Sequence, residues 1–173
     1  MKLFLRLFWL ILTQRLRSRC DVLGPSELRL RVLPNDLDVF LHVNNGVFFT
    51  YADLGRIDLL LRANAFHRLR KAGFYPVVAA ETMQFKQSLK LWQSFSIHTR
   101  VVGWGKKSVY LEQTFTRKGK LIAKALIDAR FLKRAGGFVT HDELRQLLGV
   151  EGDSPALPDY IEQWIESNAS SIG

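Results

Sequence analysis

A chain of 173 residues suits one domain, since independent domains usually hold about 100 to 200 residues. With 47% hydrophobic residues and a mean hydropathy of -0.01, it fits a globule with an ordinary core, and its one cysteine, Cys20, excludes an intrachain disulfide and suits a reducing compartment. The net charge of +9 is concentrated: Lys2, Arg6, Arg15, Arg17 and Arg19 fall in the first twenty positions with no acid among them, a distribution that argues against a nucleic-acid binder.

That basic segment also holds an apolar run, Leu7 to Leu12. A membrane span needs roughly 20 apolar residues, so the run is too short to cross. Arg6 interrupts the wider apolar region from Leu3 to Leu12 and no small-x-small site follows, which argues against a cleaved signal peptide. On a helical wheel Lys2, Arg6, Thr13 and Arg17 share one face, with leucines and aromatics around the rest. Such a helix suits the headgroup region of an anionic membrane, a peripheral contact through residues 1–19 of an otherwise cytoplasmic protein. Packing against the domain or across a dimer, or service as a signal anchor, stays open beside it.

Glu27 to Leu33 alternates strictly, as a half-buried strand does, and Pro34 ends it. From Asn45 to Arg62, Val47, Phe48, Tyr51, Leu54, Ile57, Leu60 and Leu61 recur at helical spacing over most of the circumference, which predicts a long helix enclosed on nearly all sides. Ala63 to Ala72 predicts a shorter basic helix closed by Gly73. Four strands are predicted next, over Pro76–Lys86, Phe95–Val102, Ser108–Thr116 and Leu121–Leu132, with turns at Gly103-Trp104-Gly105 and Lys118-Gly119-Lys120. Thr140 and Asp142 offer caps for a short helix ending near Leu148, and Leu157, Tyr160, Ile161, Trp164 and Ile165 form the stripe of a docked C-terminal helix. The predicted organisation is an N-terminal helix over 1–20, one α+β domain over 21–150 in which an antiparallel sheet wraps a central helix, and a linker with C-terminal helix over 151–173.

Strand, the loop Asp36-Leu37-Asp38-Val39-Phe40-Leu41-His42-Val43-Asn44-Asn45, enclosed helix and antiparallel strands together resemble the hotdog-fold thioesterases that act on acyl-CoA or acyl-carrier-protein thioesters. The loop is most similar to that of the plant acyl-carrier-protein enzymes, which place asparagine where this chain has Phe40. Many bacterial relatives carry glycine where this chain has Leu41. The resemblance implies a homodimer with its site between subunits, where Glu81 or Thr82 of one copy would approach Asp38 of the other.

The resemblance gives Asp38 the family's catalytic carboxylate, and its chemistry suits that role. A carboxylate at the mouth of an apolar site serves as general base or nucleophile. The first turn of an enclosed helix offers unpaired amides and a positive dipole end for the developing oxyanion. The ordinary reading of Asp38 is an Asx-type turn residue, and Asp36 competes with it. His42 would orient or polarise the thioester, or work with Asp38 on water; its plain alternative is a loop histidine bound to backbone. Asn44 and Asn45 are natural helix caps; the amide side chain of either would also serve to hold attacking water or the substrate carbonyl, with Asn45 preferred and Asn44 the other candidate on the oxyanion side. Gly46, lacking a side chain, would let a substrate carbonyl come close to the helix.

Lys86, Arg100, Lys106, Lys107 and Ser108 are candidates for the phosphates of coenzyme A, although for any one of them a solvated side chain at a hairpin is the stronger explanation. No cofactor is expected, and no metal, since no Cys/His cluster has ligand spacing and no Gly-x-Ser-x-Gly or dinucleotide fingerprint occurs. His67, His98 and His141 sit on polar or capping positions. Beside the thioesterase reading stand a hydratase on this fold and a non-catalytic acyl-binding or membrane-associated scaffold.

Overall fold

The structure, a computed structural model, describes residues 2–13 and 16–172. Arg15 of the predicted basic set lies outside the described residues. The elements are α1 (Lys2–Thr13), β1 (Ser26–Arg31), α2 (Asn45–Arg62), α3 (Ala65–Lys71), β2 (Phe74–Phe85), β3 (Ser94–Trp104), β4 (Ser108–Arg117), β5 (Lys120–Lys133), α4 (His141–Leu148) and α5 (Asp159–Ile172). The five strands form one sheet in the order β1-β3-β4-β5-β2, antiparallel throughout. α2 packs against this sheet, the hotdog arrangement that the sequence predicts.

Alternation along the strands decides which side chains meet α2. On β4, Leu111, Gln113 and Phe115 are buried, with Phe115 against Phe48 of α2 at a centroid separation of 5.6 Å. Tyr51 of α2 meets Phe95 of β3 at 5.0 Å, so the helix is held by a cluster of four buried aromatics. Each such side chain contributes roughly 1.5–3 kcal/mol by burial. Gly55 sets how closely α2 approaches: a Cβ there would lie 2.7 Å from Gln113 Nε2 and 2.9 Å from Thr99 Oγ1. Gln113 in turn donates to Ala52 O at 3.0 Å and Thr99 Oγ1 at 2.9 Å, so its burial is satisfied.

Asp58 is a polar exception on this helix, fully buried between Arg17 at 2.7 Å and Arg62 at 3.4 Å. Burial pushes its carboxyl pKa up, against the pull of Arg17 and Arg62. On α1, Arg6 pairs with Asp36 and, among the described side chains, only Leu10 is fully buried, while Phe4, Leu5, Phe8, Trp9, Ile11 and Leu12 face outward. This corrects the charge placement in the headgroup reading. Arg6 and Arg17 are turned into the domain to neutralise buried acids, and the apolar side faces away.

Strand ends differ from the prediction by one or two residues, and two of these differences have a structural cause. β2 starts at Phe74 and carries Pro76, tolerated because β2 is an edge strand whose outer amides have no ladder partner. β3 runs through Gly103 and Trp104 after a bulge at Val101/Gly103, so the turn moves to residues 105–107. A Cβ on Gly103 would lie 2.5 Å from Leu157 Cδ2, so the segment leading to α5 fixes this backbone. α5 covers the sheet's outer face. Ile161 is buried, and Tyr160 donates to Glu112, which also pairs with Lys124 at 2.6 Å and Arg100 at 2.9 Å.

Candidate active site in the loop before the central helix

The chain leaves β1 through Val32 and turns at Pro34–Asp36 in a single 3-10 turn. Asp36, 1% exposed, holds this turn: its Oδ2 accepts from Leu33 N at 2.7 Å and from Arg6 Nη2 at 2.6 Å. Its backbone carbonyl accepts from Asn44 N at 3.0 Å, which closes the loop at its base. Asp36 is therefore a positioning residue, and its carboxylate is spent.

Asp38 stands at the next corner. Its Oδ1 accepts from Phe40 N at 2.9 Å and His42 N at 3.3 Å, while its own amide donates to His42 O at 2.8 Å. The Asx-turn reading thus describes one of its oxygens, and Oδ2 accepts no hydrogen bond from any described residue. The tight corner holds Leu41 in the left-handed region at φ 58°. Val39, Phe40 and Leu41 are all exposed at the tip. His42 is half-buried and bridges to Lys90, whereas Val43 is buried and donates to Leu89 O at 2.9 Å.

At the start of α2, Asn44 is the cap: its Oδ1 accepts from Gly46 N at 2.8 Å, and its carbonyl from Val47 N at 2.9 Å. This alters two expectations. The Gly46 amide is occupied by the cap, so the first-turn donor left for an oxyanion is the Asn45 amide. The close approach at Gly46 is likewise to Asn44 Oδ1, 3.2 Å from where a Cβ would stand.

Asp38, His42 and Asn45 line one cavity of about 400 Å³, together with Phe40, Val43, Phe48, Phe85, Lys86, Gln87 and Ser88. Lys86 is the coenzyme candidate this cavity takes in. The other four lie elsewhere in the chain: Arg100 pairs with Glu112, Ser108 is buried, and Lys106 and Lys107 occupy the β3–β4 turn, where Lys107 lies over Phe138. Gln87 and Ser88 escaped the sequence analysis, because residues 86–93 carry no periodicity and meet the loop through the Val43–Leu89 bond and the His42–Lys90 bridge, while Phe48 and Phe85 figure there only as helix and strand positions. Among the described residues no three of His, Cys, Asp and Glu come together as metal ligands.

A second group lies further along α2, of which Glu81 alone figures in the sequence analysis. Arg56 engages Asp53, Glu81 at 3.5 Å and Gln113 Oε1 at 3.1 Å. Burial raises the Glu81 carboxyl pKa, partly countered by Arg56.

Residues 32–165 match the family model of the thioesterase-like superfamily. The chain is 31% identical over 151 residues to Protein THEM6 of Xenopus laevis, covering 87% of this chain and 72% of that protein. The YbaW probable thioesterase from Escherichia coli superposes with a TM-score of 0.66 at 24% identity, over 70% of this chain and 95% of that one. A thioesterase from Thermus thermophilus, complexed with coenzyme A and Zn, gives 0.58 at 28% identity, over 72% and 98%. With its sheet order, its enclosed helix and most of its length matched, this chain belongs to the thioesterase-like superfamily and is a hotdog-fold thioester hydrolase.

Proposed function

We propose that the chain hydrolyses acyl-CoA thioesters at the Asp38 cavity, with Asp38 acting on the carbonyl and the Asn45 amide receiving the oxyanion. The observation that carries this reading is the division of labour within the Asp38 carboxylate. Two backbone amides hold Oδ1, so Oδ2 is presented in a fixed direction beside the amino end of α2. As general base, Oδ2 takes a proton from water as its oxygen bonds to the carbonyl carbon; the C–S bond then breaks and the thiolate leaves with that proton. As nucleophile, Oδ2 bonds to the carbonyl carbon, expels the thiolate, and leaves an anhydride for water to open. His42, on the cavity wall, is placed to orient water or the thioester. The coenzyme A bound to the Thermus thermophilus thioesterase favours CoA as the carrier, and Lys86 at the cavity edge suits its phosphates.

Thiol release from acyl-CoAs and acyl-carrier proteins tests this reading. Asp38→Asn keeps an Oδ1 acceptor for Phe40 N and His42 N, so the loop should hold while kcat falls at least about 100-fold. Undiminished turnover would remove Asp38 from the chemistry. Single turnover in ¹⁸O water separates the two routes, since only the anhydride route carries label into the Asp38 carboxylate.

The edge strand β2 supports a homodimer. Its outer edge is 12 residues long, lacks a ladder partner among the described residues and exposes Tyr75, Val78 and Phe85. Pairing with a second copy would bring Phe85 and Lys86 of one cavity beside the other copy's strand. The outward apolar face of α1 supports a peripheral membrane contact, and no described helix is long and apolar enough to cross a membrane.

A further inference from the structure

Among the described residues other than glycine, four hold a positive φ. Asn64 belongs to a residue type that tolerates this conformation, and Lys118 stands in the β4–β5 turn. The other two are bulky and apolar, Leu41 at φ 58° and Trp92 at φ 62°. Both side chains are exposed, that of Trp92 by 55%. Backbone strain that presents apolar side chains to water does nothing for folding, so it marks a surface built for contact.

Hydrogen bonds gather these positions at one end of the molecule. Residues 37–43 fold back on themselves through the Leu37–Val43 bridge, and their second half lies beside Leu89 and Lys90 through the Val43–Leu89 bond and the His42–Lys90 bridge. Two residues on, Trp92 N donates to Val32 O at 3.1 Å, which ties it to the start of the same loop. α1 reaches this end as well, since Arg6 donates to Arg31 O and to Asp36. Exposed Val39, Phe40, Leu41, Leu91 and Trp92 therefore adjoin the outward apolar face of α1. Phe40 is 77% exposed and also lines the Asp38 cavity, so the cavity opens within this apolar surface.

We propose that the loop tip and the Trp92 turn dock on a phospholipid surface, and that the thioester enters the Asp38 cavity from the bilayer rather than from solution. The entry route rests on the thioesterase reading above; the docking does not. Charge fits this occupant. Arg31, Lys86 and Lys90 are exposed here and have no ion-pair partner among the described residues. The acids of residues 31–46 and 85–94 are Asp36, buried against Arg6, and Asp38, inside the cavity. Nothing at this end therefore repels phosphate headgroups, and an exposed tryptophan among aliphatic side chains and lysines is suited to the boundary between headgroups and acyl chains. Apolar contact supplies most of the attraction. A long-chain acyl-CoA is itself an amphiphile held by lipid, and Phe40 at the mouth keeps its chain in apolar surroundings during transfer.

The test uses the full chain with vesicles of phosphatidylcholine and phosphatidylserine, hexadecanoyl-CoA held in those vesicles, and butyryl-CoA in solution. Val39→Ser combined with Trp92→Gly should weaken vesicle sedimentation at least about tenfold, the scale of losing one buried apolar side chain. The same pair should lower kcat/KM for vesicle-held hexadecanoyl-CoA at least about tenfold more than for soluble butyryl-CoA. Sedimentation unmoved by the pair overturns the docking and leaves the hydrolase intact. Weaker sedimentation with equal losses on both substrates overturns the bilayer entry route. Weaker sedimentation in a protein that cleaves neither thioester supports the docking and removes the hydrolase. A lipid-free parent that self-associates through this end, shown by a smaller sedimentation coefficient in the double variant, assigns the surface to a second copy and overturns the proposal. Glycine is the residue favoured at φ 62°, so if the double variant does not fold, Trp92→Gly alone decides.

Discussion

The guanidinium of Arg6 lies 2.6 Å from Asp36 Oδ2, joining the N-terminal helix to the turn that enters the Asp38 loop. Asp36 is 1% exposed and Arg6 13% on their side chains, so the pair is largely out of water. The same carboxylate oxygen accepts from Leu33 N, and the Arg6 guanidinium also lies over the Tyr51 ring, 4.9 Å from its centroid, and donates to Arg31 O. The first helix is therefore part of what holds the loop in shape.

Removing Arg6 leaves a buried carboxylate without its cation. Breaking such a pair from one side typically costs about 3 kcal/mol or more. Arg6→Ala should lower the unfolding free energy by about that amount in urea titration, and should also lower turnover, because Asp36 anchors both Leu33 N and Asn44 N. Arg6→Lys should recover part of the stability. Unchanged unfolding in Arg6→Ala would mean that α1 is not integral to the domain.

Leu41 has a backbone angle at which side chains cost roughly 1–2 kcal/mol, and its side chain is 70% exposed. Leu41→Gly relieves that strain while adding unfolded-chain entropy of roughly 0.5–1 kcal/mol, so its stability should match or slightly exceed the parent's. Leu41→Val places a β-branched residue at the same positive φ and should lose more than about 1 kcal/mol. Thermal unfolding of both variants checks the ordering, and a Val variant as stable as the Gly one would contradict the loop geometry.

Much of this architecture was legible in the sequence because it is local. The 3.6-residue recurrence along α2, the alternation of β3 to β5 and the Thr140 cap each depend on neighbours a few residues apart. What stayed hidden depends on distant partners. The two aspartates of the loop look alike in sequence, and only Arg6, thirty residues earlier, marks Asp36 as the structural one. The amphipathic pattern of α1 gave its two faces but not which of them turns inward; buried Asp36 and Asp58 decide that. Gly103 read as a turn because its need for a bare Cα comes from Leu157.

Acid should loosen α5. Burial by itself would raise the Glu112 pKa, but hydrogen bonds from Lys124, Tyr160 and Arg100 outweigh it and hold the carboxyl below its ordinary value of 4.5. A carboxylate whose folded pKa is depressed contributes stability that is present above the unfolded value and is lost as pH falls through the folded one. Stability should therefore drop from pH 4.5 downward, with hydrogen exchange rising first across Asp159–Ile172. Glu112→Gln should flatten that part of the pH profile. An identical acid response in the variant would assign the loss to other carboxylates.

Membrane contact through α1 is best tested on its outer face, because deleting the segment would also remove Arg6 and Arg17 and so uncover Asp36 and Asp58. Phe4 is 72% exposed and Phe8 67%, and the helix stays docked through Leu10 and Arg6. Phe4→Ser combined with Phe8→Ser should leave the unfolding midpoint near the parent's while sharply reducing sedimentation with phospholipid vesicles. With Arg6 and Arg17 turned inward, the contact is chiefly apolar, so binding should depend only weakly on salt, unlike that of a basic headgroup-binding helix. Vesicle binding that survives both serines, or collapses when salt alone is raised, would place the membrane contact elsewhere on the molecule or remove it.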